Sequence, residues 1–192
     1  MTKPSWRLFL SGTAFELSLA VLGLIGIGLL VREPSAWSGG MLHDLVWGLL
    51  FSIPLFLLAA GYLRLYKKDA HRVWTTFEQT GALSCFRKMP GWQVILVAVS
   101  AGLGEEIFFR GFLQVWLSPW LSTWGAVVIV SIGFACLHPI TRLYVILAFV
   151  ASLWFGWMLA AGYTLLVAII SHAFYDAVML LLLQARLRLK PE

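Results

Sequence analysis

The sequence predicts an all-α protein, a polytopic membrane helix bundle with about six transmembrane helices. Of its 192 residues, 60% are hydrophobic and only 12% are charged, and the mean hydropathy is +0.87. A soluble domain normally carries about 25% charged residues. The apolar residues also form continuous runs instead of the alternating pattern of strands, and in lipid only helices and closed barrels satisfy their own backbone hydrogen bonds.

Six apolar stretches are long enough to cross about 30 Å of hydrocarbon at about 1.5 Å per helical residue. They cover residues 8–31, 45–64, 92–117, 121–138, 142–161 and 163–184. We expect a single transmembrane domain over 1–192, in which two spans and a basic loop (1–91) precede a four-helix core (92–184). The loop from Arg64 to Gly91 fits either an amphipathic helix on the membrane surface or an ordinary basic loop.

The basic residues predict the orientation of the chain. With six spans, most of them fall on one side of the membrane: Lys3, Arg7, Arg64, Lys67, Lys68, Arg72, Arg87, Lys88, Arg142, Arg186, Arg188 and Lys190. The positive-inside rule makes this side cytoplasmic. We therefore expect a multi-pass protein of the inner cell membrane with both termini in the cytoplasm. Orientation also explains the net charge of +5 better than a nucleic-acid partner does, so none is expected.

Ionisable residues inside the apolar stretches are the strongest functional signal. A charged side chain at the centre of a membrane helix costs about 2.5–3.5 kcal/mol. Three stretches nevertheless carry such groups: Glu105, Glu106, Arg110, His138, His172 and Asp176. We expect these side chains to converge around one hydrated cavity that opens to the cytoplasm. A separate acid in the first span, Glu16, is expected to snorkel or to be satisfied by packing.

Helical spacing suggests partners within this set. Glu106 and Arg110 lie four residues apart and can form an ion pair on one helix face. Glu105 is rotated by about 100° from Glu106, so the two glutamates are predicted to have different roles. His172 and Asp176 are also four apart. Either the carboxylate orients the imidazole, or both groups face a common ligand.

At these residues the sequence resembles the CPBP family of intramembrane proteases, which includes CAAX proteases and bacteriocin-processing enzymes. The motifs read EEIFFR at 105–110, FACLH at 134–138 and HAFYD at 172–176. The resemblance covers the last four spans, roughly residues 92–184. Asp176 stands where many relatives have asparagine.

The resemblance implies proteolysis of a membrane-associated substrate by activated water. Glu105 and His138 would activate the water, and His172 would hold it or stabilise the oxyanion together with Asp176. Arg110 would neutralise the other glutamate of the motif and stabilise the helix. The expected partners are a peptide or protein substrate in or at the membrane and the lipid bilayer itself.

A metal-dependent mechanism and two different functions fit the same residues. His138 and His172 with a glutamate could form a three-ligand zinc site with one open position. We favour a glutamic-type peptidase without a cofactor, because the HExxH motif is absent. The two different functions are a non-catalytic membrane adaptor or immunity protein of the same fold, and a small proton-coupled transporter. Against the transporter, the chain shows neither repeated halves nor paired broken helices.

Overall fold

A computed structural model describes residues 3–189, with side chains from Trp6 onward. Lys190, which contributed to the predicted orientation, lies outside the described residues. Between residues 3 and 189 the chain contains helices and short connections and no strand, which confirms the predicted all-α class.

The helices are named in chain order. They are α1 (Lys3–Leu30), α2 (Met41–Leu65), α3 (Lys67–Gln79), α4 (Ala82–Arg87), α5 (Gly91–Glu105), α6 (Val115–Cys136), α7 (Arg142–Ala160) and α8 (Leu165–Leu189). A π-helical segment, Glu106–Gln114, joins α5 to α6. Within residues 3–189, five helical stretches are long and apolar enough to cross a membrane: Trp6–Leu30, Met41–Leu65, Gly91–Cys136, Arg142–Ala160 and Leu165–Leu189. The protein is therefore a multi-pass membrane protein.

The stretch Gly91–Cys136 folds back on itself. Its 46 residues would extend about 69 Å as one straight helix. Ser122 leaves the helical conformation, with φ 64° and ψ 163°, shortly after Pro119. Beyond this kink the chain returns, since the rings of Phe109 and Phe134 lie 5.1 Å apart. About 25 residues of straight helix would separate them by about 37 Å. The stretch therefore turns back on itself near Ser122, close to the boundary between the third and fourth predicted spans.

The basic segment between α2 and α5 is largely helical, which favours the helical one of the two alternatives left open by the sequence. Asp69 in α3 accepts hydrogen bonds from Tyr62 Oη at 2.8 Å and from Thr141 Oγ1 at 2.7 Å. These contacts connect α3 to the end of α2 and to the loop between α6 and α7. Arg186 of α8 lies over the ring of Trp74 in α3 at 6.0 Å.

A buried carboxylate organises the opposite end of the bundle. Asp44 in α2 is 0% exposed. It accepts hydrogen bonds from Ser38 Oγ, from Gly39 N at 3.0 Å and from Thr164 Oγ1 at 3.0 Å. His43 Nδ1 lies 3.1 Å away from it. These contacts join the loop after α1 to α2 and to the start of α8.

Two glycines allow α5 to approach its neighbours closely. A Cβ on Gly102 would lie 2.8 Å from the backbone nitrogen of Ala173 in α8. A Cβ on Gly104 would overlap the carbonyl oxygen of Glu16 in α1. Any larger residue would push these helices apart. Glu105 and Glu106 come directly after Gly104 in the sequence. The close packing at the two glycines therefore places α1 and α8 beside these glutamates.

Candidate active site

The carboxylate of Glu106 occupies the buried centre of the site. Its Oε1 lies 2.8 Å from Nδ1 of His172 in α8. Its Oε2 lies 3.2 Å from Nε of Arg110, one turn later, and both of these side chains are 0% exposed. The two charges compensate each other where water is excluded, although the alignment falls short of a hydrogen bond. The predicted ion pair between Glu106 and Arg110 is confirmed, within a π-helical turn that α-helical spacing did not anticipate.

Arg110 connects the π-helical segment to two other helices. Its Nη2 donates to the carbonyl oxygen of Ser152 at 3.0 Å and to its Oγ at 2.8 Å. Its Cζ lies 5.0 Å from the ring centre of Phe134 in α6 and 5.5 Å from that of Phe155 in α7. A guanidinium at these distances is attracted to the ring faces. Arg110 therefore has the contacts of a residue that neutralises charge and stabilises helix packing.

The two ring nitrogens of His172 have different neighbours: Nδ1 contacts Glu106, and Nε2 faces two further acids. Since a carboxylate can only accept, Nδ1 must carry the hydrogen that Glu106 binds. The ring stacks on Phe155 with centroids 4.7 Å apart and an interplanar angle of 13°. Nε2 lies 3.5 Å from Asp176 and 3.7 Å from Glu105. Glu106 and not Asp176 therefore orients the ring, and the position of Asp176 fits a group that faces a common ligand with His172.

The two adjacent glutamates have different environments. The side chain of Glu105 is 12% exposed and that of Asp176 is 29% exposed, whereas Glu106 is completely buried. Glu106 is already engaged by a cation and an imidazole. Glu105 remains accessible to a small molecule such as water, which gives a structural basis for different roles.

His138 does not join the cluster directly. Its Nδ1 lies 2.8 Å from the carbonyl oxygen of Phe134, and its ring stacks on that of Phe134 at 4.6 Å. No ion pair joins it to a carboxylate in the part of the chain that the structure describes. The side chains of the other five predicted residues lie close together around His172 and Arg110. The hydrated cavity expected around them, open to the cytoplasm, stays a prediction. His138 is linked to this cluster through Phe134 and Arg110. His138 follows Phe134 by four residues, about one helical turn, so its Nδ1 reaches the carbonyl oxygen of Phe134. Helix α6 ends at Cys136, shortly before Pro139.

Three residues of the site were missed from the sequence: Glu16, Ser152 and Phe155. Glu16 interacts electrostatically with His172 and Asp176, and also with Glu105. The insertion cost of an acid in an apolar span was a usable signal for Glu16. Ser152 and Phe155 carry no such signal, because a serine and an aromatic residue are ordinary in a membrane helix.

The two histidines considered as zinc ligands have different surroundings. Across residues 3–189, no group of three or more histidine, cysteine, aspartate or glutamate side chains is placed to hold a metal ion. His138 and His172 each direct Nδ1 to a protein oxygen. Only His172 has carboxylates near its second nitrogen.

A polar cavity of about 520 Å³ opens beside the loop that follows His138. Its lining residues are Asp69, Arg72, Thr75, Thr76, Ile140, Thr141 and Arg142. It contains none of the predicted site residues, but it lies on the side of the bundle that carries most of the basic residues.

A family comparison matches the part of the chain that contains the candidate site. Residues 87–178 match the family model described as Type II CAAX prenyl endopeptidase Rce1-like. The match is consistent with the resemblance of this segment to the CPBP family of CAAX proteases. The family indicates an intramembrane protease, a hydrolase with a peptide substrate in a membrane environment. The matched residues include all six predicted site residues, whereas α1 with Glu16 precedes them. No curated protein and no solved structure matches the chain.

Proposed function

We propose that the protein is a glutamic-type intramembrane endopeptidase that hydrolyses a peptide bond of a membrane-associated or hydrophobic substrate. One observation carries the proposal: Glu105 and Asp176, both partly accessible, lie near Nε2 of an imidazole whose other nitrogen is held by Glu106. This closeness of a candidate base, a second acid and an oriented imidazole supports the proposal. The four-helix core predicted at 92–184 would supply all of these groups.

In the proposed mechanism Glu105 removes a proton from a water molecule, whose oxygen attacks the scissile carbonyl carbon. His172 and Asp176 hold this water or face the negative charge that develops on the carbonyl oxygen. Glu106 keeps the imidazole of His172 in one orientation, as a second carboxylate does in other histidine-based sites. His138 uses Nδ1 for the carbonyl of Phe134, which leaves Nε2 as the atom through which it would assist Glu105.

The orientation is part of the proposal. We place the protein in the inner cell membrane, with both termini and the mouth of the site on the side that carries most of the basic residues. By the positive-inside rule this side is the cytoplasmic one. Cys85 in α4 offers a direct test in a Cys136→Ser background. A membrane-impermeant maleimide should label Cys85 in inside-out vesicles and not in right-side-out vesicles. Labelling only in right-side-out vesicles would reverse the orientation.

The activity is tested by comparing membrane peptides from cells that express the wild-type protein or the Glu105→Ala variant. New peptide termini should appear only with the wild type. A Glu78→Ala variant, changed at an exposed position in α3, is the matched control and should give the wild-type peptides. Purified protein should also cleave a farnesylated peptide that ends in a CAAX sequence, a probe chosen from the name of the matching family.

The outcomes separate the function classes. Identical termini with wild type and Glu105→Ala, in a membrane that contains both proteins at equal levels, would contradict the peptidase. An adaptor would tolerate the substitution without any cleavage. A transporter would lose proton-coupled flux in the variant, again with no peptide cut.

A further inference from the structure

Helix α1 lies against the site although it is outside the segment that matches the family. The absence of a side chain at Gly104 lets the backbone of α1 touch α5 at Glu16, directly beside Glu105. A second close contact lies about two turns further along α1, where a Cβ on Gly23 would lie 2.9 Å from the Cα of Phe108. Glu16 is therefore held at the level of the catalytic carboxylate by close packing of the two helices.

The side chain of Glu16 has no protein partner for its buried oxygen. Its Oε2 is buried and accepts no hydrogen bond from any residue that the structure describes. Its electrostatic neighbours are His172 and Asp176 on α8 and Glu105 on α5. Tyr144 on α7 faces the same acids, Glu105 and Asp176.

The balance of charges distinguishes Glu16 from the other acids. Four carboxyl groups share the site with two basic groups: Glu16, Glu105, Glu106 and Asp176 with Arg110 and His172. A buried excess of negative charge is unfavourable, so the site must retain a proton on a carboxyl group. Glu106 is committed to Arg110 and His172. Asp176 and Glu105 lie 3.5 and 3.7 Å from Nε2 of His172. No such ion pair joins Glu16 to a basic side chain among the described residues, and its Oε2 has no hydrogen-bond partner there. Glu16 is therefore the acid least stabilised as a carboxylate by a direct contact, and the one best placed to keep the proton.

We propose that Glu16 is the general acid of the peptidase site, the counterpart of the base Glu105; this rests on the proposed function. Water loses a proton to Glu105 while its oxygen forms a bond to the scissile carbonyl carbon. When the carbon–nitrogen bond breaks, the carboxyl proton of Glu16 passes to the leaving amine. Glu105 then returns its proton to Glu16 through solvent. The products are a carboxylic acid and an amine, and both glutamates regain their starting states.

The test uses two substrates with the purified full-length protein in detergent micelles. The first is the farnesylated CAAX peptide, and the second is the same peptide with its scissile amide replaced by a thioester. An amine leaves only after protonation, whereas a thiolate leaves without it. Glu16→Gln keeps the shape of the side chain but has no acidic proton. It should lose about 100-fold or more in kcat on the amide, with little change on the thioester.

Two further variants define the comparison. Glu105→Gln should lose activity on both substrates, because the nucleophilic water is needed for both. Glu33→Gln, the same substitution at an exposed position in the loop after α1, should behave as wild type on both. If Glu16→Gln does not purify in folded form, Glu16→Asp keeps the acid on a shorter side chain and should show a smaller loss confined to the amide.

Each outcome decides the matter. Equal losses on amide and thioester by folded Glu16→Gln would overturn the general-acid role and make Glu16 a positioning residue. Wild-type rates on both substrates would overturn it as well. If the wild-type protein cleaves neither substrate while cells show no new termini, the proposed function itself fails, and the role of Glu16 fails with it.

Discussion

The buried pair of Glu106 and Arg110 allows a quantitative prediction. Arg110→Met keeps a long side chain in the space among the aromatic rings but removes the guanidinium. The carboxylate of Glu106 would then remain buried without its cation, and breaking a buried pair in this way costs about 3–5 kcal/mol. The lost hydrogen bonds to Ser152 add about 0.6 kcal/mol each. The expected loss in the free energy of unfolding is therefore about 4–6 kcal/mol.

Removing both charges should restore much of this stability. Glu106→Gln alone should cost about 3 kcal/mol, because it leaves the guanidinium unpaired. The double variant leaves neither charge buried and should unfold at a cost well below the sum of the two single losses. Reversible unfolding by SDS in mixed micelles, followed by circular dichroism, gives the three free energies and their coupling term.

Activity provides the second readout of the same variants. Because Glu106 also orients His172, the double variant should stay impaired in cleavage of the farnesylated peptide even where stability returns. Single losses that add to within about 0.5 kcal/mol would refute the ion pair as a coupled unit. Full activity in the stable double variant would refute the orienting role of Glu106.

Three further predictions concern the contacts around the site. Gly102→Ala should lower the free energy of unfolding by about 1–3 kcal/mol and reduce cleavage, because the new Cβ meets Ala173. Gly61→Ala is the control, because the space around Gly61 is open. It should unfold at the same SDS fraction as the wild type or at a slightly higher one. Asp44→Asn should lower the free energy of unfolding by about 1–3 kcal/mol, since it weakens the buried acceptor of the hydrogen bonds from Ser38, Gly39 and Thr164. The value of kcat should not change, because Asp44 lies at the opposite end of the bundle from the loop that follows His138. Unchanged hydrogen exchange in the loop after α1 would contradict this role of Asp44. Phe155→Leu removes the ring that stacks on His172 and should lower kcat more than it raises KM; a change in KM alone would contradict that contact's role.

Local features of the sequence were enough to predict the helices and the groups within one helix. The apolar runs predicted a polytopic bundle of long apolar helices, and the reversal of Gly91–Cys136 near Ser122 lies close to the boundary between the two spans expected there. The ion pair between Glu106 and Arg110 needed only the spacing along one helix. The π-helical form of that turn was not predicted, because a π-helical turn depends on how the segment packs against its neighbours.

The sequence by itself determined that this is a membrane helix bundle with acids and imidazoles in its late spans, because the cost of exposing backbone and charge to lipid acts on each segment separately. Only the tertiary structure decided that Glu106 and not Asp176 holds Nδ1 of His172. It also decided that the ring of Phe134 stacks on His138, and that the backbone of α1 meets α5 at Glu16, beside the cluster. These outcomes depend on how closely helices approach one another. That approach is set by small residues such as Gly102 and Gly104 meeting a neighbouring backbone, which no periodicity along a single helix can reveal.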